Sequence, residues 1–300
     1  MYDLIIIGAG PAGITASVYS ARKKINFLVI TEDIGGQAAW SGDIENYTGY
    51  QFITGPELAS KFEEHMLRYG ISLREGEGVT EVKRAEDRIV VKTEKGQYES
   101  KTVIIASGKR SRELAVPGEK EFKNKGLTYC ATCDAPLFAG KDVAVIGGGN
   151  SALDAALQLM NIARRVYLIN IVPRLTGDPV MIEKVEGSAV VSIMNNARVL
   201  EIFGGKMVSG IKVRGEGREN TLSVEGVFVE IGLIPNSYLA PDVAKNSLGE
   251  IKVDYYNQTN IPGIFAAGDV TDVPEKQIVI AAGEGSKASL AAIRYLNQHK

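Results

Sequence analysis

The residues whose chemistry is easiest to name are Cys130 and Cys133, the only two cysteines in a chain of 300 residues. They stand in the stretch Cys130-Ala131-Thr132-Cys133-Asp134-Ala135-Pro136. Two intervening residues let both sulfurs share one helical turn, where they can oxidise to a small-loop disulfide or bind a metal. A zinc site takes about four ligands, and the two histidines, His65 and His299, are too few and too scattered to complete one. A pair of buried, inert thiols is the other reading. Redox chemistry fits the isolated pair better, and it requires that the rest of the chain supply electrons.

The elements that could do so are two glycine turns. Leu4–Ile7 is an apolar run opening into Gly8-Ala9-Gly10-Pro11-Ala12-Gly13, followed by a helical pattern from Ile14. Strand, G-x-G-x-x-G and helix in this order form a dinucleotide fingerprint. Gly8 makes the tight turn, Gly10 admits a pyrophosphate to the backbone, and Gly13 lets helix and strand pack closely. The helix start then offers free N–H groups and a positive dipole end. A second strand, Phe27–Ile30, ends at Thr31, where an acidic ribose ligand is expected, with Glu32 next. A glycine turn holding no nucleotide is the plainer alternative. Just after the cysteines, Asp142–Ile146 opens into Gly147-Gly148-Gly149-Asn150-Ser151-Ala152 and a helix to about Asn161. Gly147, Gly149 and Ala152 occupy the three small positions of a second fingerprint, and Arg165–Ile169 is its second strand.

Between these units the glycines of Gly35-Gly36-Gln37 allow unusual backbone angles and close approach to a flat ring. Glu45-Asn46-Tyr47 lies in a polar loop. Residues 55–69 read as a helix with Leu58, Phe62, Met66 and Tyr69 facing the core and His65 solvated. Alternation from Val79 to Ile105 predicts a meander ending at Ala106-Ser107-Gly108, where small residues would let backbone approach a dinucleotide. Val116-Pro117-Gly118 marks a linker, residues 199–224 a second meander, and Gln277–Leu296 a closing helix.

Composition sets the class. Apolar residues make up 45% and charged residues 23%, ordinary for a globular protein, and the length suits two domains. A net charge of −2 and no long basic run argue against nucleic acid or an anionic membrane as the main partner. No apolar segment approaches a membrane span of about 20 residues, and the N-terminus shows no signal-peptide pattern. A lone C-x-x-C suits a reducing cytoplasm.

Taken together, these motifs resemble the low-molecular-weight thioredoxin reductase family, within the two-dinucleotide-domain flavoprotein disulfide reductases. The likeness rests on Gly8 to Gly13, Gly35-Gly36-Gln37, Glu45-Asn46, Cys130 to Asp134, Gly147 to Ala152 and Ala267-Gly268-Asp269. The C-terminal third, residues 227–296, looks closest to the flavoprotein subunit of alkyl hydroperoxide reductase. The resemblance implies an α/β fold of two Rossmann-like three-layer ββα domains, the second inserted into the first. A discontinuous FAD domain would span 1–112 and 244–300, and a pyridine-nucleotide-type domain carrying the cysteines 113–243. It also implies that the first fingerprint binds FAD, that Asp269 holds the ribityl and pyrophosphate region, and that Gln277 and Ile278 lie by the flavin ring. Cys133 would be the flavin-side sulfur and Cys130 the one that exchanges with a partner disulfide. Asp134 would move the proton, its alternative being a cap on the following turn. Thioredoxin or a thioredoxin-like protein is the implied partner, with a glutaredoxin-like protein or a peroxide-reducing (peroxiredoxin-system) partner as the alternatives, and a homodimer the implied assembly. The family alternates between two domain orientations, which places hinges near residues 110–117 and 232–236.

The second domain departs from the pattern. NADPH-dependent relatives carry a His-Arg-Arg cluster after the second strand, because Arg pairs with the 2′-phosphate; NADH-using relatives carry an acid there. This chain reads Leu168-Ile169-Asn170-Ile171-Val172-Pro173-Arg174. Three readings remain: an enzyme fed by reduced ferredoxin or a deazaflavin, an NADH- or NADPH-dependent enzyme in which Asn170 bonds the ribose, and a flavin-binding regulator without turnover. The intact C-x-x-C-Asp argues against the third.

Overall fold

The computed structural model describes residues 1–40, 43–44, 46–129, 131–215 and 217–299, apart from the side chains of Trp40, Asp43, Thr132 and Cys133. The chain divides into two compact units, Met1–Arg110 with Ile234–Lys300, and Ser111–Leu233.

The first unit opens with β1 (Tyr2–Ala9), α1 (Pro11–Arg22) and β2 (Phe27–Ile34). After α2 (Gly55–Leu67) come β3 (Ser72–Glu75), β4 (Val79–Arg84), β5 (Ile89–Thr93) and β6 (Gln97–Ile105). The apolar run of β1 is central because both of its faces are covered: Leu4 and Ile6 enter the core shared with Ile14 and Ala16 of α1. Ile5 and Ile7 enter the opposite core with Val79, Val82 and Val91 of the meander. Alternate residues of a strand point to opposite faces, so an unbroken apolar run marks a strand buried on both. β1 pairs in parallel with β2 and with β6, Ile6 lying opposite Val29 and Ile104. β4, β5 and β6 form the expected antiparallel meander, and β6 continues into the parallel sheet. In α2, Thr54 and Glu57 form a reciprocal capping box. The helix stops at Leu67, so Tyr69, expected in the core, lies beyond its end and is exposed.

In the second unit β7 (Leu127–Thr128) leads into the short α3 (Ala131–Asp134). Then follow β8 (Asp142–Ile146), α4 (Asn150–Leu159), β9 (Arg165–Ile169), α5 (Pro179–Glu186) and β10 (Val191–Met194). The meander β11 (Ala197–Gly204), β12 (Val208–Gly215) and β13 (Arg218–Leu222) precedes β14 (Gly226–Val229). The parallel sheet runs β7-β14-β8-β9-β10. Its core repeats the logic of the first: Val143 and Val145 pack with α4, and Ala144 and Ile146 with the meander. Each unit is thus helices, parallel sheet and antiparallel meander in three layers.

The chain returns to the first unit at Ile234, not at 244, and leaves it after Arg110 rather than 112. The physical reason for the earlier return is burial: Leu239, Ala240 and Val243 fill the same core as Ile5 and Ile7, and Val82 N–H donates to the Leu239 carbonyl at 2.6 Å. The two crossing stretches, Lys109–Ser111 and Leu233–Pro235, pair as a two-stranded ribbon. β15 (Ile264–Ala266) then joins β6 in parallel, and α6 (Ile278–Gln298) closes the chain.

Candidate functional site

The first unit brings together segments far apart in sequence. A Cβ placed on Gly13 would lie 1.9 Å from the Gly8 carbonyl oxygen, and one on Gly8, at φ +97°, 2.4 Å from that of Ala106. These two glycines are demanded by packing. Gly10 is different, because a Cβ there would meet nothing within 4 Å. It caps α1 with no side-chain bond to the helix N-terminus, so the turn presents bare backbone donors to open space. Around it stand three more of the expected segments. Gly36, at φ +53°, packs on the Cα of Gly10, Gly35 N–H donates to Ala9 at 2.8 Å, and Gly268, at φ +75°, packs on Ala12. α6 reaches the turn through Gly285, where a Cβ would fall 2.0 Å from the Ala12 carbonyl oxygen. Asn46 Nδ2 donates to Gln277 Oε1 at 3.1 Å, and Ile278 packs on Ile44, Ile53 and Leu58. Gln37 lies on the short helix Gly36–Trp40 that follows the turn.

Asp269 follows directly. Burial pushes its carboxyl up, against the opposing pull of Lys276 and Lys109. Among the described residues no hydrogen bond or ion pair engages that carboxyl. Beside it is a network that the sequence reading missed. Glu250 accepts from Lys109 at 2.9 Å, Lys276 at 3.1 Å and Asn246 at 2.7 Å. Burial alone would raise the Glu250 carboxyl, but these bonds together outweigh it and bring it to about 2. Asn236 was also missed. It donates to the Ser107 carbonyl at 2.8 Å and accepts at its own carbonyl from Ser107 Oγ at 2.9 Å, fixing the backbone at Gly108. Thr31, where an acid was expected, turns inward and accepts from Ala9 N–H at 3.1 Å, bracing the glycine turn.

In the second unit Gly147 packs against the Glu230 carbonyl oxygen, 2.1 Å from where its Cβ would be. Gly149 is open, its nearest neighbour being Thr176 Oγ1 at 3.9 Å from a Cβ, and Ser151 is exposed at the start of α4. Ala152 is buried beneath the turn. The ribose corner is closed. Asn170 is 2% exposed, donating to the Val172 carbonyl at 3.1 Å and to Asn195 Oδ1 at 2.9 Å. Its Oδ1 sits 2.4 Å from a Cβ placed on Gly148. The following segment laps over the turn: Thr176 N–H donates to the Gly148 carbonyl at 2.8 Å, and Asn150 Oδ1 accepts from Asp178 N–H at 2.7 Å. Asn150 and Asn170 are therefore both engaged by their own unit.

Cys130 lies outside the described residues, and Cys133 falls on α3. Asp134 ends α3, and its side chain makes no capping bond to the turn Ala135–Phe138. Upstream, the buried Glu119 accepts from the N–H groups of Leu114 and Ala115 at 2.7 and 2.6 Å and from the Tyr129 hydroxyl at 2.8 Å. The linker is thereby tied to the residue preceding the pair. Burial, then the bond to Glu119, push the Tyr129 hydroxyl up. The described residues hold no cluster of metal-binding side chains.

Comparison with known proteins agrees with this arrangement. A family profile described as pyridine nucleotide-disulphide oxidoreductase matches residues 2–285. A protein named NADH dehydrogenase from Bacillus subtilis is 43% identical over 98% of this chain, and an alkyl hydroperoxide reductase subunit from Staphylococcus aureus 42% over 98%. The likeness to the latter extends well beyond the C-terminal third. The chain spans about 58% of the length of these curated relatives. The thioredoxin reductase of Lactococcus lactis superposes with a TM-score of 0.90 at 33% identity, covering 99% of this chain and 100% of that one. With two three-layer units, each opened by a glycine turn, and this match along nearly its whole length, the chain belongs to the pyridine nucleotide-disulphide oxidoreductase family.

Proposed function

We propose that this protein is a flavin-dependent disulfide reductase that passes electrons through Cys130 and Cys133 to thioredoxin or a thioredoxin-like protein. The observation that carries the reading is the open backbone at Gly10, on which the segments of Gly36, Gly268 and α6 converge. The residues present fit FAD: bare N–H donors for a pyrophosphate, an unpaired carboxyl at Asp269 for a ribityl hydroxyl, and Asn46 with Gln277 for the ring edge. When bound, FAD supplies a pair of reducing equivalents at a time.

The cysteines act in sequence. Cys133 is the flavin-side sulfur of the pair, and Cys130 the sulfur that attacks the partner disulfide as a thiolate. Asp134, free of any capping role, exchanges the proton. The reading includes a homodimer working in the cytoplasm; no described helix is long and apolar enough to cross a membrane.

For the donor, Gly149 leaves the pyrophosphate position open, which supports NADH or NADPH, as does the relative named NADH dehydrogenase. The buried Asn170 provides neither an arginine nor an acid, so the two nucleotides should be used with similar half-saturation. A second reading, reduced ferredoxin as donor, is favoured by the same closed corner. Anaerobic reduction of the bound flavin by NADH, NADPH and reduced ferredoxin in parallel tests both. A preference of about tenfold to a hundredfold for one nucleotide, which one or two charged hydrogen bonds confer, contradicts the similar-affinity expectation. Bleaching by ferredoxin alone supports the second reading, and failure of all three donors sinks both.

A further inference from the structure

The buried carboxyl of Glu250 gathers two ammonium groups at one point of the first unit. Lys109, directly after Gly108, reaches its Oε1 at 2.9 Å, and Lys276, directly before Gln277, reaches the same atom at 3.1 Å. Asn246 Nδ2 donates to Oε2 at 2.7 Å. The two lysines differ in what else they hold. Lys276 also donates to the Thr271 carbonyl at 2.5 Å. Among the described residues Lys109 Nζ bonds to Glu250 alone.

Glu250 also runs alongside Asp269. Ile251 N–H donates to the Val270 carbonyl at 2.9 Å, and Asp272 N–H to the Ile251 carbonyl at 2.9 Å. The residue after Glu250 is thus paired with the residues after Asp269. The Asp269 carboxyl nonetheless makes no hydrogen bond or ion pair among the described residues, although the charges of Lys276 and Lys109 act on it. Two carboxyls and two ammonium groups share this corner. Both ammonium groups sit on one carboxyl, and the other has none.

We propose that Glu250 is a positioning residue of the flavin site: by holding Lys109 to itself, it keeps the Asp269 carboxyl unpaired for a hydroxyl of the FAD ribityl chain. The inference rests on the reading of Asp269 as a flavin contact.

Competition between the two carboxyls decides the outcome. The Lys109 side chain is 13% exposed and that of Glu250 8%. An ammonium released here has little water to turn to and requires another anion. Asp269 is the carboxyl of this corner that stands unbonded. An ammonium on it would occupy an acceptor oxygen through a bond charged on both sides, whereas a ribityl hydroxyl offers a bond charged on one side only. With Glu250 in place, Lys109 stays where it is. Without that carboxylate, Lys109 is the group that moves, because Lys276 keeps the Thr271 carbonyl.

The test is titration of the flavin-free full chain with FAD, followed by quenching of flavin fluorescence. Glu250→Gln should bind FAD about tenfold to a hundredfold more weakly, the scale of one hydrogen bond to a charged group. Adding Lys109→Met to Glu250→Gln should restore binding to within about threefold of wild type, because the competing ammonium is gone. A carboxyl that only held the fold together would leave the double variant at least as weak as the single one, since methionine replaces no lost bond. Should Glu250→Gln purify unfolded, Glu250→Asp, which withdraws the carboxyl by one methylene, takes its place with the same pair of expectations. Carboxyl NMR of the flavin-free protein gives a second reading: the Asp269 titration should fall by at least about one pH unit in the single variant and rise again in the double. A single variant with wild-type affinity, or a double variant that binds no tighter than the single, overturns the proposal. Failure of the wild type to take up FAD counts instead against the proposed function, and the Asp269 titration, which needs no flavin, still tests Glu250.

Discussion

Replacing Asn170 by Asp converts the corner of the second nucleotide turn to the acid that NADH-using relatives carry, and the structure predicts that this will not open the site. Asn170 Nδ2 makes two donor bonds, to the Val172 carbonyl and to Asn195 Oδ1, and its Oδ1 accepts weakly from Val172 N–H at 3.4 Å. A carboxylate keeps the acceptor and loses both donors, leaving two buried oxygens facing a third. Each lost bond is worth roughly 1 kcal/mol and each stranded acceptor roughly 1–3, with partial recovery if the acid stays protonated. The expected destabilisation is about 2–4 kcal/mol. The sign with pH is fixed. Burial among acceptors raises the folded-state pKa of the new carboxyl, so the penalty is smallest below the ordinary Asp range and grows as pH rises toward the folded value. Urea unfolding followed by circular dichroism at pH 5 and pH 8 should show the larger loss at pH 8. Amide exchange should quicken at Asn196 and Ala197, whose N–H groups donate to the Val172 and Asn170 carbonyls. A variant with the wild-type midpoint that binds NADH about tenfold more tightly, a gain of 1.4 kcal/mol, would refute the reasoning and make Asn170 an accessible ribose contact.

Three further outcomes follow from the same geometry. Gly10→Ala should purify with little flavin yet, compared in the flavin-free state, unfold at the wild-type midpoint, because its Cβ meets no protein atom; Gly13→Ala should lose both flavin and stability, its Cβ colliding with Gly8. Absorbance at the flavin band and thermal unfolding distinguish them. Glu250→Gln should cost about 1–3 kcal/mol at neutral pH. The folded-state pKa of Glu250 is depressed to about 2, so the wild-type advantage is present above the ordinary Glu value and fades as pH falls from there toward 2. Unfolding of both proteins across that range reads it. Gly149→Ala is tolerated by the fold, with only an ordinary contact to Thr176; it should abolish reduction by NADH and NADPH and leave chemical reduction of the flavin unchanged.

What the sequence made legible was local. The run Leu4–Ile7 before Gly8, and its counterpart before Gly147, identify strands buried on both faces and followed by tight turns, because those requirements act within a few residues. The side chains at the strand ends were not legible in the same way. Thr31 and Asn170 occupy positions where a ribose ligand is expected, yet both turn inward, Thr31 to brace its glycine turn and Asn170 to bond the Val172 carbonyl and Asn195, 25 residues away. The network at Glu250 depends on Lys109, 141 residues distant, and no spacing rule reports such a pair. The first unit takes in Leu239, Ala240 and Val243, ahead of the bound at 244, because these residues carry no turn signal and declare themselves only by filling the first core.

The claim that bears the most weight is that electrons leave through the cysteine pair. The direct test is to reduce the flavin-loaded protein anaerobically by light, mix it with oxidised thioredoxin, and count thiols formed on thioredoxin for wild type and Cys133→Ser. The account predicts that wild type yields reduced thioredoxin, while Cys133→Ser stalls as a mixed disulfide through Cys130. Thioredoxin reduction by Cys133→Ser at the wild-type rate would contradict it.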